Sequence, residues 1–516
     1  MLRTSACFLA YVSQSFTRYY RLTSTNTAEY KFQLGENHNF TALIGQEAII
    51  NNTTGFSAYG SGIPDARLAT LSNIDKTRGW DVGESWSQSK YNSIFSRLSY
   101  DYAGKYYIDA SFRRDGSSLF GANKRYANFW SAGLMWNIKA ENFMKDVDWI
   151  NKLQLSANYG TVGNSGISNY LSHAIVETGT QYHGTTYYIS NSGNENLTWE
   201  TLESLNIALD FRLFNRFEAK VEVYRKNTKD MLLEIPWSYS TGFAGGYGNI
   251  GNMKNEGIEA TLTYDWIRNE NMFLQTSLNV SYNKDKITKL FDGRDSFELP
   301  DYGLNYCVGH SAGELWYVKS AGIDPANGRP LWYDKDGNIT DVYSDDNRVL
   351  LGKSRYAPWS AGLQIDFTYK NFALQAQFSG IFGKYLINND RYFYTNSNFA
   401  DNRLASELLT EMWQTPGQKA KYPNPEYVVN GECFDSRLVE NASFVRLKGV
   451  TLSYSLGKNA INKLGGVLTG VRFFVTGRNL LTWTKYSGWD PEQNINLQLA
   501  VYPNTKQYAA GVELTF

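Results

Sequence analysis

Four histidines, three cysteines and scattered carboxylates are the material from which a catalytic or metal site would have to be built. His38, His173, His183 and His310 lie far apart and fall in neither an HExxH nor an HxH pattern, the kind of spacing that brings two imidazoles to one metal. Cys7, Cys307 and Cys433 are odd in number and widely spaced, so they define no disulfide framework and no CxxC metal knuckle, and they do not reveal the compartment. Gly163-Asn164-Ser165-Gly166 lacks the G-x-S-x-G spacing of a nucleophile elbow and reads as a loop. Asp334-Lys335-Asp336-Gly337-Asn338 has the composition of a calcium loop, but its glycine stands fourth instead of sixth and the closing glutamate is absent. A β-turn on Asp336-Gly337 is the expectation there. No catalytic residue, metal site or cofactor is expected, and the chain does not read as an enzyme.

Aromatic residues in long polar loops are the one binding candidate. Trp237, Tyr239, Phe243 and Tyr247 sit in a Gly-rich stretch, Trp332 and Tyr333 in DPANGRPLWY, and Tyr392, Phe393 and Tyr394 in NNDRYFYTN. Aromatic faces stack on flat apolar surfaces and anchor protein interfaces. They also pack their own loops or form the interfacial girdle of a membrane barrel. Asp109, Arg113, Asp210, Arg212, Glu222 and Asp366 recur on the polar side of alternating segments, where they would line a hydrated interior or simply be solvated.

The elements that carry these residues have period two, one face apolar and one polar. In 97–113, Leu98, Tyr100 and Tyr102 oppose Arg97, Ser99 and Asp101, Ala-Gly-Lys turns the chain, and Tyr106, Ile108, Ala110 and Phe112 oppose Tyr107, Asp109, Ser111 and Arg113. The same pattern recurs at 130–138, 153–159, 205–213, 217–223, 258–264, 363–369 and 372–379. It appears last in YAAGVELTF, where Tyr508, Val512, Leu514 and Phe516 share a face with Ala510. Each arm approaches the ten or so residues that cross a bilayer at barrel tilt. Gly-Glu-Asn (35–37), Ala-Gly-Lys (103–105), Phe-Asn-Arg (214–216) and Lys-Asn (370–371) read as short turns; 52–90, 114–125, 162–198, 229–253, 285–357 and 380–440 read as long loops. Short turns alternating with long loops are the mark of an outer-membrane barrel. About fifteen strands are expected, among them RYYRLTST and EYKFQLG as separate strands.

Composition agrees. Aromatics make up 15% of 516 residues, with 37 Tyr and 14 Trp, while Lys+Arg and Asp+Glu balance at 50 each, which gives no electrostatic footprint for nucleic acid. The mean hydropathy of −0.43 and the absence of an apolar run near 18 residues exclude a helical membrane protein but not a barrel, half of whose strand positions are polar. Arg3 followed by Ala6 to Val12 resembles a short signal core without a clean cleavage site, and reads better as one more strand.

These alternating segments also resemble a known family. RLSYDYAGKYYIDASFRRDGSSLFGANKRYANFWSAGLMWNI (97–138), NLTWETLESLNIALDF (196–211), YGNIGNMKNEGIEATLTY (247–264), AGIDPANGRPLWYDKDGN (321–338), FVRLKGVTLSYSL (444–456), VTGRNLLTWTKYSGWDPE (475–492) and the closing YAAGVELTF are together similar to the SusC/RagA family of TonB-dependent outer-membrane transporters. The resemblance implies an all-β, transmembrane antiparallel β-barrel over 1–516. It implies uptake of oligosaccharides or peptides across outer-membrane lipid with a SusD/RagB-like surface lipoprotein, energised through TonB. Members of the family also carry a signal peptide, a plug and a TonB box, none of which is visible in this sequence. The expectation is therefore an N-terminally incomplete barrel whose last strand, ending on Phe516, lacks its closing neighbour. A carbohydrate-binding β-protein without transport, or an inactive truncated remnant, is the alternative reading.

Overall fold

The computed structural model describes the chain apart from residues 1–10, 64, 78, 182–183, 300–302, 397–398, 400–403, 428–433, 465–466, 494–496 and 499–500. Cys7, Cys433, His183 and most of the signal-like stretch lie outside the described residues.

Among the described residues fifteen strands form one sheet in chain order. They are β1 Tyr11–Leu34, β2 His38–Ser61, β3 Trp80–Tyr102, β4 Tyr106–Ser117, β5 Tyr126–Asn137, β6 Ile150–Asn164, β7 Glu200–Leu213, β8 Phe217–Pro236, β9 Gly245–Arg268, β10 Met272–Lys289, β11 Trp359–Tyr369, β12 Phe372–Phe382, β13 Phe444–Ser455, β14 Gly470–Thr484 and β15 Gln507–Thr515. The chain divides into two compact units, residues 1–134, 158–203 and 228–250 in one, and 135–157, 204–227 and 251–516 in the other.

The first unit holds the longest ladders. β1 and β2 pair antiparallel from Tyr11↔Ser61 to Leu34↔His38, and β2 pairs with β3 from His38↔Tyr102 to Gly60↔Trp80. RYYRLTST and EYKFQLG are thus one strand, and much of the expected loop 52–90 is ladder. The missing cue is physical. Residues 51–61 and 83–89 are mostly Ser, Thr, Asn, Gln and Gly. A ladder polar on both faces has no apolar alternation, although its backbone groups still pair. β8 and β9 also reach into the expected loop 229–253, and a two-stranded hairpin, Ile175–Gln181 with Gly184–Asn191, occupies part of 162–198. Here apolar residues are present but stand in runs, Met231-Leu232-Leu233 and Tyr187-Tyr188-Ile189, so they show no period of two.

Where the alternation was visible, the structure follows it. Tyr102 faces Tyr106 and Ser96 faces Phe112. Ala103 (φ 52) and Gly104 (φ 66) take left-handed backbone, and the Lys105 N–H closes on the Tyr102 carbonyl at 2.9 Å. Leu98, Ile108 and Phe112 on the apolar face are exposed, whereas the polar face is knitted by ion pairs. Arg97 donates to both Asp109 oxygens at 2.8–3.0 Å, and Arg113 reaches Glu47 at 3.0 Å and also Asp115. An apolar face exposed to no protein and a polar face that is internally paired is the inverse of a soluble sandwich.

The second unit repeats this wall. The Phe214–Arg216 turn copies the first one, with Phe214 (φ 53) and Asn215 (φ 55) left-handed and the Arg216 N–H on the Leu213 carbonyl at 3.0 Å. Lys152 pairs with Asp210. Asp366 accepts from Gln364 and Gln375, Arg212 donates to the Asn215 carbonyl, and Glu222 pairs with Lys220. β15 pairs with β14 from Gly470↔Thr515 to Arg478↔Gln507, and Tyr508, Val512, Leu514 and Phe516 are all exposed.

The segments expected as bare loops in this unit fold into a layer of their own. Ser296–Glu298 pairs with Asn305–Cys307, Glu314–Val318 with Arg348–Ser354, and Ser320–Ile323, Pro330–Tyr333 and Ile339–Thr340 form a small sheet. Tyr385–Asn388 pairs with Val439–Asn441, and a short helix, α1, spans Asn389–Thr395. Leu304, Leu315, Tyr317, Ile387, Tyr392, Phe434, Leu438 and Val439 close into a core. These strands are too short to show a period, so this second apolar layer was not visible in the sequence.

Candidate functional site

Asn388 starts the site. Its side-chain oxygen accepts the Arg391 N–H at 3.0 Å, the N-cap that Asn favours, and so launches α1. The helix turns Tyr392 inward, where it stacks on Phe434 with centroids 4.5 Å apart, and carries Arg391 beside it. Arg391 donates to Glu440 at 3.2 Å, to Glu407 at 3.3 Å and to the Tyr422 hydroxyl at 2.6 Å. Tyr422 in turn donates to Glu407, and Lys421 pairs with Glu407 at 3.3 Å and Glu411 at 2.8 Å.

Arg391 therefore stands between two clefts. The first, about 320 Å³, is bounded by Pro330, Tyr392, Lys421, Tyr422 and Tyr427. The second, about 460 Å³, is bounded by Asn388, Asp390, Tyr394, Glu407, Ser487 and Trp489. Burial pushes the Glu407 carboxyl up, but the Tyr422 hydroxyl, the Arg391 charge and Lys421 outweigh it and hold the group below its ordinary value. Burial raises the Tyr422 phenol. Both clefts are thus walled by aromatic rings and by ionised groups already paired with one another. That suits a ligand carrying neutral donors and acceptors plus an apolar face better than a strongly charged one.

Only some of the expected aromatics reach these clefts. Tyr394, 42% exposed, lines the second, and Tyr392 lines the first from its packed position. Phe393 packs into the loop core against Phe399. Trp332 is 1% exposed; its indole N–H donates to Asp435 at 2.8 Å and its ring meets Tyr343 edge-on. Burial removes it from ligand or partner contact in this conformation. Tyr333 lies under the Lys319 ammonium. In the first unit, Trp237 and Phe243 pack edge to face, and Tyr247 packs against the core of Phe120, Phe129, Leu197 and Trp199. Tyr239, 89% exposed, sits in the turn between β8 and β9.

Asp334–Asn338 is a turn, but its centre is shifted. The Gly337 N–H bonds the Asp334 carbonyl at 3.1 Å, which places Lys335-Asp336 at the centre and Gly337 (φ 86) after it. The Asp334 carboxylate accepts the backbone N–H and side-chain amide of Asn338 and the N–H of Asp336, which hold it below its ordinary pKa. Ser165 lies 3.4 Å from the Tyr91 hydroxyl. His38 contacts Tyr100, His173 Ser172 and His310 Glu314, so the described histidines lie in separate places.

Sequence reasoning passed over Trp489, Arg391, Glu407 and Glu440. Trp489 had a cue, an aromatic beside Gly488 in a long segment, the same cue that singled out Tyr239. The charged residues had none, because Glu407, Tyr422 and Glu440 meet Arg391 only through tertiary folding.

A family model described as TonB dependent receptor-like, beta-barrel, matches residues 4–480. TonB-dependent receptor P3 of Formosa agariphila is 31% identical over 472 residues, covering 83% of this chain and 46% of that protein. TonB-dependent receptor SusC of Bacteroides thetaiotaomicron is 30% identical over 455 residues, covering 82% and 43%. The RagAB peptide transporter structure superposes with a TM-score of 0.91 at 36% identity over 98% of this chain and 56% of that one. The chain spans about half the length of the curated relatives it matches. With its alternating wall and this match over most of its length, the chain belongs to the TonB-dependent receptor β-barrel family and is a SusC/RagA-type outer-membrane protein.

Proposed function

We propose that the chain forms the barrel portion of an importer that takes up oligosaccharides or peptides with a SusD/RagB-like surface lipoprotein, energised through TonB. The observation that carries this reading is the superposition on the RagAB peptide transporter, which extends over 98% of the chain and so includes the loop layer as well as the wall. The paired clefts beside Arg391 supply the aromatic faces and neutral hydrogen-bonding groups that a sugar ring or a peptide backbone would meet. Tyr239, Phe243, Trp237 and Tyr247 are proposed to serve the lipoprotein side, with Tyr239 the accessible member. The exposed apolar strand faces speak against a soluble binding module.

Uptake by cells that make the protein from its native locus tests the proposal. A panel of fluorescent oligosaccharides and peptides is offered to the parent strain and to a strain lacking residues 11–515. Loss of uptake of at least one panel member on deletion is the expected result. Unchanged uptake of every member overturns the proposal.

A further inference from the structure

Trp489 is 64% exposed, yet the backbone on both sides of it is pinned. On the N-terminal side Tyr486 is buried with Leu386 and Ala442. Ser487 donates its N–H and its hydroxyl to Glu440, both at 2.8 Å. On the C-terminal side Asp490 is 1% exposed. One of its oxygens accepts from Arg446 Nη2 at 2.6 Å and from the Glu492 N–H at 2.9 Å. The other accepts the N–H and the side-chain amide of Asn504, both at 2.9 Å.

Arg446 does more than pair with Asp490. Its Nη1 reaches Glu492 and its Nε donates to Thr482 at 2.9 Å. Lys448 also pairs with Glu492, and the Lys384 ammonium donates to the carbonyls of Pro491 and Gln493. The wall and its margin thus supply the cations (Arg446 and Lys448 from β13, Lys384 just beyond β12), and the segment after β14 supplies the anions. A buried ion pair adds little net stability over apolar packing. What a guanidinium engaged on three partners does supply is fixed direction. An aromatic ring on a fixed backbone loses less freedom when a ligand stacks on it, and so binds it more tightly.

We infer that Arg446, acting through Asp490 and Glu492, is a positioning residue that holds Trp489 at the rim of the second cleft as a preorganised platform for ligand. The inference rests on the reading of that cleft as ligand-facing. Arg446 itself does not touch the ligand; Trp489 does.

Hydrogen exchange on the full chain tests the latch with no ligand present. Asp490→Asn keeps the shape and removes the charge, and Asn504→Ala removes the side-chain amide's bonds to Asp490 and Glu492 while leaving its backbone N–H bond and the ion pair. Both are expected to speed exchange within 485–493, by about tenfold or more in D490N, while β11 and β12 keep their rates. Unchanged exchange in 485–493 in both variants overturns the latch, as does an equal rise across β11 and β12. The positioning role is read from affinity for whichever members of the oligosaccharide and peptide panel bind the parent protein. Arg446→Lys, which cannot serve three partners at once, is expected to weaken binding several-fold in the parent and not at all in a Trp489→Ala background. Equal weakening in both backgrounds overturns the role. If no panel member binds the parent protein, the ligand-facing reading fails and the platform role with it, while the exchange result still decides the latch.

Discussion

Arg391, half-buried, and Asp490, fully buried, do opposite things with their charge. Arg391 gathers Glu407, Glu440 and Tyr422 around itself and separates two clefts. Asp490 is gathered, by Arg446 and by two backbone N–H groups. Burial alone would raise the Asp490 carboxyl, but these donors outweigh it and the group lies below its ordinary value. A depressed carboxylate stabilises the folded segment above its unfolded value and loses that contribution as pH falls through the folded one. Of the charged neighbours, Arg446 pairs with it directly, Glu492 shares Arg446 with it, Lys384 feels its charge, and Lys448 is tied in through Glu492. Protection of the 485–493 amides, corrected for intrinsic exchange, is therefore expected to hold at pH 5 and to fall below about pH 4. Lys384 works the other way. Burial lowers its amine to about 8 against the pull of Glu492 and Asp490, so keeping it charged at neutral pH costs the folded segment. Protection is expected to rise between pH 8 and about 10, where only the unfolded lysine still binds the proton. A second residue-scale prediction concerns the cleft rim. Trp489→Ala and Tyr394→Ala should each weaken binding of a panel ligand by about 1 kcal/mol, measured by titration, while Trp332→Phe, at a buried ring, should leave affinity unchanged.

At the scale of elements, the turns and the loop sheets carry the risk. Ala103 holds a left-handed φ of 52, which disfavours a residue with a Cβ by about 1 kcal/mol. Ala103→Gly should therefore stabilise the β3–β4 hairpin by up to about 1 kcal/mol, and Ala103→Val should destabilise it by more, both read from denaturant unfolding in detergent. In the loop layer, Asp435 is fully buried and accepts from Trp332 and Arg437. Removing it in Asp435→Ala takes the acceptor from the buried indole N–H of Trp332 and a carboxylate partner from Arg437. A loss of about 3 kcal/mol in the stability of the loop layer is expected, visible as faster exchange in 330–340 with β13 and β14 unchanged.

For the whole molecule, the outward apolar face is what suits it to lipid. Val512 is 56% exposed on the same face as Tyr508 and Leu514, whereas Glu513 on the other face pairs with Arg472 at 3.1 Å. Val512→Arg puts a charge on the lipid side and should cost about 2–4 kcal/mol near mid-bilayer. Glu513→Gln loses only an exposed ion pair and should cost less than about 1 kcal/mol. The heat-modifiable band of the membrane fraction on a cold SDS gel reads the difference: V512R should deplete it and E513Q should not.

The wall was legible because its physics is local. Leu98, Ile108, Phe112 and Val512 alternate with polar residues whatever lies far away in the chain, and Ala-Gly-Lys and Phe-Asn-Arg punctuate them, so these strands, their hairpins and their apolar side follow from period two and the short turns. The family motifs added the kind of barrel. What could not be read was every feature made by residues distant in sequence. The polar ends of β2 and β3 pair without any side-chain pattern. Trp332 finds the acceptor for its buried N–H in Asp435, over a hundred positions away. Trp489 owes its place to Arg446 and Asp490, 44 residues apart. Apolar alternation is written residue by residue, whereas a charge finds its partner only after the loops have folded, and so the cleft, unlike the wall, was decided by the tertiary structure.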